Sequence, residues 1–269
     1  MTELQPIPGP SALGGGWRRT WELLRLIAVT DFKRLYFGTA LGYVWSIGRP
    51  LLLFGVLLTV FTQALRLGND IPFYAQLLLT NIVLFGFFQE ATGAAVGSLV
   101  AQEPVIRKTQ FPRLVVPLAV VLTALFTFGL NLVVVCVFLL ASGVTPMWTW
   151  LLFPLLFVAV LVFTVAVSML LAALFPRFRD IGIIWTVAST ALFYATPVLY
   201  PLEAVSGRLQ DVLALNPLTP VFVLVHKWII DPSVPPPPQL LVPALIYVAV
   251  CALAVWVFRR EAPRVAEAL

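Results

Sequence analysis

The residue types that carry out most enzyme chemistry are sparse and scattered in this chain. It contains a single histidine, His226, and no two carboxylates form a pair within one loop. Hydrolases and metalloenzymes need clustered nucleophiles, acids, bases or metal ligands, yet neither an HExxH nor a GxSxG pattern is present. A Walker A loop for the phosphates of ATP is also missing. The chain is therefore predicted to have no catalytic site and no cofactor of its own.

Glu90 stands out because it lies within a long apolar run. Placing a carboxylate in lipid costs considerable free energy, so this side chain is expected to face protein or water. Transporters driven by protons or sodium usually carry several ionisable groups within their spans, whereas here only Glu90 lies deep. The energy for any transport is therefore expected to come from a partner.

The composition requires a membrane setting for these residues. The 269 residues are 61% hydrophobic and only 11% charged, with a mean hydropathy of +0.99. Soluble domains carry roughly 25% charged residues. The net charge of +5 does not indicate nucleic-acid binding, because the basic residues fall between apolar runs and form no single patch.

The apolar runs predict an all-α integral membrane protein with six transmembrane helices, since about 20 apolar residues cross a bilayer core. Residues 114–176 carry no charge but are too long for one span, and a turn signal at residues 142–146 divides them into two. The predicted spans are residues 43–65, 73–99, 114–141, 148–175, 181–198 and 239–258.

The segments outside the spans have their own predicted roles within a domain of residues 17–260. Residues 17–37 predict an amphipathic helix, with Trp17, Trp21, Leu24, Ala28 and Leu35 on its apolar side. Such a helix can lie in the membrane interface or pack on the protein's own surface. Residues 201–231 are too polar to span and predict short helices at the outer interface. Residues 1–16 and 261–269 are expected to be cytoplasmic tails, the first of them flexible.

The distribution of lysine and arginine predicts the orientation. With the amino terminus inside, 14 of the 17 basic residues face the cytoplasm, and Arg66, Arg208 and Lys227 remain outside. This strong positive-inside bias predicts that both termini face the cytoplasm, in a chain that spans a bacterial inner membrane.

Residues 103–113, which read EPVIRKTQFPR, carry a specific resemblance. The segment is similar to the second cytoplasmic loop of ABC-2 polysaccharide-exporter permeases, which reads approximately Leu-Ile-x-Lys-x-x-Phe-Pro-Arg. The matching residues are Val105, Ile106, Lys108, Phe111, Pro112 and Arg113. Valine replaces the usual leucine at the first of these positions.

Further short motifs agree with the same family in order and spacing across residues 17–260. They are Gly42, Trp45 and Pro50, the segment Phe178-Arg179-Asp180-Ile181, the segment Thr196-Pro197-Val198-Leu199-Tyr200, and the segment Leu215-Asn216-Pro217-Leu218. Thr196 stands where serine is usual, and Leu199 stands where isoleucine is usual.

The resemblance implies a homodimer that pairs with two nucleotide-binding ATPase subunits, which would bind ATP and Mg²⁺, and that exports a lipid-linked polysaccharide. Residues 102–110 would form the coupling helix against the ATPase. The residues implied in coupling are Glu103, Arg107, Lys108, Phe111, Pro112, Arg113, Arg179 and Asp180. The basic residues of this set could equally be topology anchors, and Arg179 and Asp180 could form a local ion pair.

The same resemblance suggests where the substrate would bind. Lys33, Arg34 and Arg49 are candidate ligands for the carrier pyrophosphate, or else positive-inside anchors. Candidate channel-lining residues, whose alternative role is packing or lipid contact, are Phe85, Phe88, Glu90, Trp185, Phe193 and Tyr194. Residues of a candidate outer gate, which could also be an ordinary loop, are Pro197, Tyr200, Asn216 and Pro217.

Two other functions compete with polysaccharide export. An ABC-2 exporter of a drug or lipid would share the fold and the ATPase, but is not expected to carry the Phe-Pro-Arg and Arg-Asp motifs together. A membrane enzyme of lipid-linked sugar metabolism would need catalytic carboxylates at the membrane surface, where Asp31 and Asp180 are too isolated. The sequence does not identify the glycan, so O-antigen, teichoic acid, capsule and galactan all stay open.

Overall fold

A computed structural model describes residues 17–36, 42–66, 68, 71–102, 114–144, 147–230 and 237–268 of the chain. The amino-terminal tail and most of the predicted coupling helix lie outside these residues. So do the motif residues Glu103, Arg107, Lys108, Phe111, Pro112 and Arg113.

The described residues are mostly helical and include no β-strand, which confirms the prediction of an all-α fold. Its α-helices are α1 (Trp17–Tyr36), α2 (Val44–Thr59), α3 (Tyr74–Val96), α4 (Ser98–Ala101), α5 (Val115–Ala141), α6 (Phe153–Leu174), α7 (Ile181–Ala195), α8 (Arg208–Ala214), α9 (Thr219–Ile230) and α10 (Pro237–Ala268). A π-helical turn, Val60–Ala64, extends α2, and short 3₁₀ helices span Trp148–Leu152 and Leu202–Ala204.

Five helical segments are long and apolar enough to cross a membrane, which confirms a multi-pass membrane protein. They are Val44–Ala64, Tyr74–Val96, Val115–Ala141, Trp148–Leu174 and Leu241–Glu261. The predicted fifth span corresponds to α7, which has only 15 residues. At a rise of 1.5 Å per residue it is about 22 Å long. It ends at Ala195 because Thr196 is extended (φ −95°, ψ 144°), the conformation that a following proline favours.

α3 forms the centre of the molecule. It packs against α2, α5, α6, α7 and α9, and most of its residues are buried. A helix that is apolar all round is stable only when neighbours surround it, which is the arrangement here. Its rings Phe85, Phe87 and Phe88 lie at the middle of the main core.

α1 packs against α5, which is one of the two placements predicted for this amphipathic helix. Leu24 and Ala28 are buried, and the Thr123 hydroxyl of α5 donates a hydrogen bond of 3.2 Å to the Ala28 carbonyl. Trp21 and Leu35, predicted on the same face, are 52% and 54% exposed at the edges of this contact. All four residues lie on one side of the helix, and Trp21 and Leu35 line cavities beside α5, so this side faces the protein.

The region predicted as short surface helices is also more deeply placed than expected. α8 and the first part of α9 meet at an angle of 97°. Val221, Phe222, Val225 and Trp228 of α9 are buried, because α9 packs against α3 and α6. The Thr149 hydroxyl donates a hydrogen bond of 2.9 Å to the Trp228 carbonyl, which fixes the far end of α9.

Candidate functional site

The non-helical segment after α7 is buried in the bundle and held by side chains of α3. Asn81 Nδ2 donates to the carbonyls of Pro197 (3.4 Å) and Val198 (3.2 Å). The Tyr74 hydroxyl donates to the Leu199 carbonyl at 2.9 Å. A buried carbonyl that has left a helix needs a donor from elsewhere, since membrane interiors offer little water. α3 supplies these donors.

Asn216 closes this arrangement from the other side. Its Nδ2 donates to Thr196 Oγ1 at 2.8 Å, and its Oδ1 accepts from the Leu218 backbone N–H at 3.0 Å. The Thr219 hydroxyl donates to the Leu213 carbonyl at 2.8 Å across the same turn. We call the residues Tyr74, Asn81, Thr196–Leu199 and Asn216 the clasp. The structure thus joins two motifs that are 20 residues apart in sequence.

The predicted gate residues occupy different parts of this region. Pro197 belongs to the clasp and is buried, and Asn216 is its bonding partner through Thr196. Tyr200 lies just beyond it, with its hydroxyl donating to the Tyr194 carbonyl at 2.8 Å. Pro217 is half-buried in the turn before α9. Sequence reasoning missed Tyr74 and Asn81, which carry most of the contacts to the backbone.

A second polar site lies between α1, α2, α3 and α5. A cavity of about 470 Å³ is lined by Arg49, Glu90, Thr127, Asn131 and Trp45, together with other residues of these helices and Phe193. Asn131 Nδ2 donates to the Ser46 carbonyl at 3.0 Å, which ties α5 to α2. One guanidinium and one carboxylate therefore share the wall of the same cavity.

A neighbouring cavity of about 340 Å³ also reaches Glu90. Its lining includes Asp31, Arg34 and Leu35 of α1, with Ala94 and Thr123. Partial burial raises the pKa of the Asp31 carboxyl above its ordinary value, and the Arg34 charge opposes that shift. Two arginines, Arg34 and Arg49, thus lie at cavities that meet at Glu90.

This arrangement can hold an anion with several oxygen atoms. Guanidinium groups bind phosphate oxygens through charge-assisted hydrogen bonds. Of the three predicted pyrophosphate ligands, Arg34 and Arg49 line these cavities. Lys33 is exposed at the end of α1 and belongs to neither lining. We call Arg34, Arg49 and Glu90 with the two cavities the charged cleft.

The predicted channel-lining aromatics are divided between the interior and the surface. Phe85 and Phe88 are 0% and 1% exposed, so in the single subunit these rings pack in the interior, the alternative role given for them above. Trp185 is anchored to α3, with its indole N–H donating to Thr92 Oγ1 at 3.1 Å. Phe193 lines the larger cavity and Tyr194 is exposed. Tyr36 and Trp45 also line that cavity and were not predicted to do so.

The elbow between α6 and α7, residues 175–180, holds Arg179 and Asp180 on the surface. The Arg179 guanidinium lies over the Phe175 ring, 5.2 Å from its centroid. A Cβ placed on Gly182 would lie 3.3 Å from the same ring, so the glycine allows α7 to begin close against Phe175. The cation and the ring hold this turn in shape.

The elbow lies at the end of the bundle that also holds α4 and Leu114, the described parts of the chain before and after residues 103–113. α4, which precedes the motif, contacts α6, and Leu114, which follows it, packs near Ala173 at the end of α6. Arg177 forms an ion pair with Glu261 of α10, with a separation of 3.7 Å. α4, Leu114 and the elbow therefore lie close together at this end of the bundle.

Comparison with known proteins gives a consistent answer. Residues 22–229 match the family described as ABC-2 type transporter. The chain is 31% identical over 199 residues to the O-antigen export system permease protein RfbA of Klebsiella pneumoniae, covering 74% of this chain and 76% of that protein. It is 29% identical over 249 residues to the protein of the same name from Myxococcus xanthus, covering 92% and 95%.

Proposed function

The chain belongs to the ABC-2 type transporter family, and from that premise we propose that it is the membrane-spanning permease subunit of an ATP-driven polysaccharide exporter. The observation that carries the proposal is the similarity to an O-antigen export permease over 92% of the chain. The substrate would be a polysaccharide on a polyprenyl-pyrophosphate carrier, moved outward across the inner membrane. ATP hydrolysis would take place in the partner ATPase.

The orientation of the subunit follows from its basic residues. With both termini in the cytoplasm, the elbow, α4 and the end of α10 all lie on the cytoplasmic side, where the ATPase would bind. Arg179 and Arg259 are exposed at this end. These cations can meet acidic residues of the ATPase, and the motif of residues 103–113 would supply the principal contact.

The charged cleft is the proposed binding site for the carrier pyrophosphate. Arg34 and Arg49 would contact phosphate oxygens, and Glu90 together with Asp31 would balance their charge while the cleft is empty. This role of Glu90 is supported by the cavity that it lines together with Arg49.

The ligand proposal can be tested with matched substitutions. The double variant Arg34→Ala with Arg49→Ala should strongly reduce export at normal protein level, because both guanidinium contacts are lost. Lys33→Ala is the control, since Lys33 lies outside both cavities. Normal export by the double variant would refute the binding role.

A second copy of the chain is proposed to complete the translocation pathway. Only 6% of the apolar stretch within Val44–Ala64 is buried inside the subunit. In α7, Ile183 is 71% exposed and Val187 is 66% exposed. A homodimer could cover these faces and enclose a channel between them. Mass measurement of the detergent-solubilised complex should give two copies of this chain and two ATPase subunits, and a single copy would refute the dimer.

The experiment that tests the function is conditional depletion in the host, followed by sugar analysis of lipid-linked glycans on each side of the inner membrane. Export of a polysaccharide predicts that finished, carrier-linked polymer accumulates on the cytoplasmic side. Normal delivery of glycan to the surface would refute the proposal and favour an exporter of a drug or lipid.

A further inference from the structure

The cytoplasmic end of the bundle contains a small apolar cluster that is separate from the main core. Ala173 of α6 and Phe258 of α10 are buried against each other, and Leu114, Met169 and Val257 pack around them. Leu114 is the residue that directly precedes α5. The cluster therefore joins α5, α6 and α10 at one point.

An ion pair lies beside this cluster. Arg177, three residues beyond the end of α6, reaches Glu261 of α10 at 3.7 Å, and their side chains are 61% and 14% exposed. A pair with one exposed partner adds little to stability, because water and salt screen the attraction. Its main effect is geometric, since it connects the elbow to the end of α10.

These contacts meet where force from an ATPase would enter the chain. Leu114 directly follows the motif of residues 103–113, and Arg177 lies in the elbow with Arg179 and Asp180. We propose that Phe258 and Glu261 make the end of α10 a positioning element, which holds the elbow and the start of α5 together. Movement of the ATPase then displaces α5, α6 and α10 as one body.

This inference rests on the proposed function and adds residues that neither the motifs nor the predicted coupling set contain. The motif would contact the ATPase, while Glu261 and Phe258 would hold the elbow and the start of α5 in position next to it. A purely structural role for the same residues would lower the amount of folded protein and leave the work done per ATP unchanged. Export per ATP hydrolysed therefore separates the two roles.

The test compares four variants in the full complex with its ATPase. Arg177→Gln and Glu261→Gln each remove one partner of the ion pair, and the double variant Arg177→Glu with Glu261→Arg restores it in reverse. Arg260→Gln is the control, because Arg260 is exposed at the same end but lies over the Trp256 ring. The measurements are complex yield, ATPase rate of the purified complex and amount of surface glycan in the host.

The expected result is that both single variants keep the normal complex yield and ATPase rate while export falls about five-fold. The reversed pair should recover most of the export, and the control should match the wild type. Normal export by both single variants would overturn the inference. A fall in export that only follows complex yield, or no recovery by the reversed pair, would overturn it too.

Failure of the proposed function gives a different result. In that case the wild-type chain itself would purify without an ATPase, or its depletion would leave surface glycan unchanged. Failure of the inference leaves the wild type active and affects only the comparison of variants.

Discussion

The two ends of α7 are held by opposite means. At its end, the clasp surrounds a buried break with hydrogen bonds from Tyr74, Asn81 and Asn216. At its start, the elbow is exposed and is held by a cation over a ring and by the Arg177–Glu261 ion pair. One end is fixed by directional bonds within the protein, and the other by contacts that water can replace.

The difference follows from the surroundings of each break. Within the bundle a free carbonyl has no water, so every departure from helix requires a side-chain donor. At the surface, water satisfies the backbone and only weak contacts are needed. α7 is thus firmly attached at the clasp and adjustable at the elbow, which suits an element that receives movement at one end.

The largest effect is expected from Asn81→Ala. It leaves the carbonyls of Pro197 and Val198 without this donor, and we expect a loss of about 2–3 kcal/mol in the free energy of unfolding. Thermal unfolding in detergent is the measurement. Thr80→Val is the control, because the Thr80 hydroxyl bonds only the Gln76 carbonyl of its own helix. Equal effects of the two substitutions would show that the clasp is not the firm end.

A smaller loss is expected from Asn216→Ala, about 1–2 kcal/mol, because its bonds to Thr196 and Leu218 are only partly buried. Asn216→Asp keeps the acceptor for the Leu218 N–H and should recover part of the loss. The same unfolding measurement applies. If the aspartate variant were as unstable as the alanine variant, the bond to Thr196 would carry the whole effect.

Trp185→Phe examines the middle of α7. The substitution removes the hydrogen bond to Thr92 and keeps an aromatic ring beside Phe88, so we expect about 1 kcal/mol of destabilisation. A double-mutant cycle with Thr92→Ala should show coupling between the two sites. Additive losses would mean that the indole and the hydroxyl do not interact.

The smallest change in stability is expected at the elbow. Arg177→Gln should alter the free energy of unfolding by less than about 0.5 kcal/mol, because the arginine is mostly exposed. Export should fall about five-fold even though the free energy of unfolding hardly changes. A loss comparable with that of Asn81→Ala would remove the contrast between the two ends.

The sequence predicted the ends of α7 but not how they are held. Thr196-Pro197 and Leu215-Asn216-Pro217 were evident as motifs, and the extended residue before proline explains the break. The partners in α3 were not predictable, because Asn81 lies in an apolar run beside other polar residues such as Gln76 and Thr80. Nothing in a linear pattern indicates which of these faces a break more than 110 residues away.

Two other outcomes have a similar cause. The amphipathic pattern of residues 17–36 predicted α1, yet lipid and a neighbouring helix are both apolar, so the pattern could not tell which surface would cover it. α3 carries large apolar residues on every side, so helical periodicity could not separate the packed rings of Phe85 and Phe88 from rings that face a cavity. Arg34 and Arg49 were predicted as one group and Glu90 as a separate channel residue. Their meeting in the charged cleft was not predicted, because the three residues come from three different helices.

The burial of α3 has a consequence for how the protein is made. Of the five long apolar segments it has the lowest mean hydropathy, 1.3, and the largest part of its apolar stretch buried inside the protein, 72%. During synthesis it emerges before α5, α6, α7 and α9, the helices that later pack around it. At that stage only α2, with a mean hydropathy of 1.8, accompanies it into lipid. We therefore expect its stable retention in the bilayer to depend partly on segments that the ribosome has yet to translate.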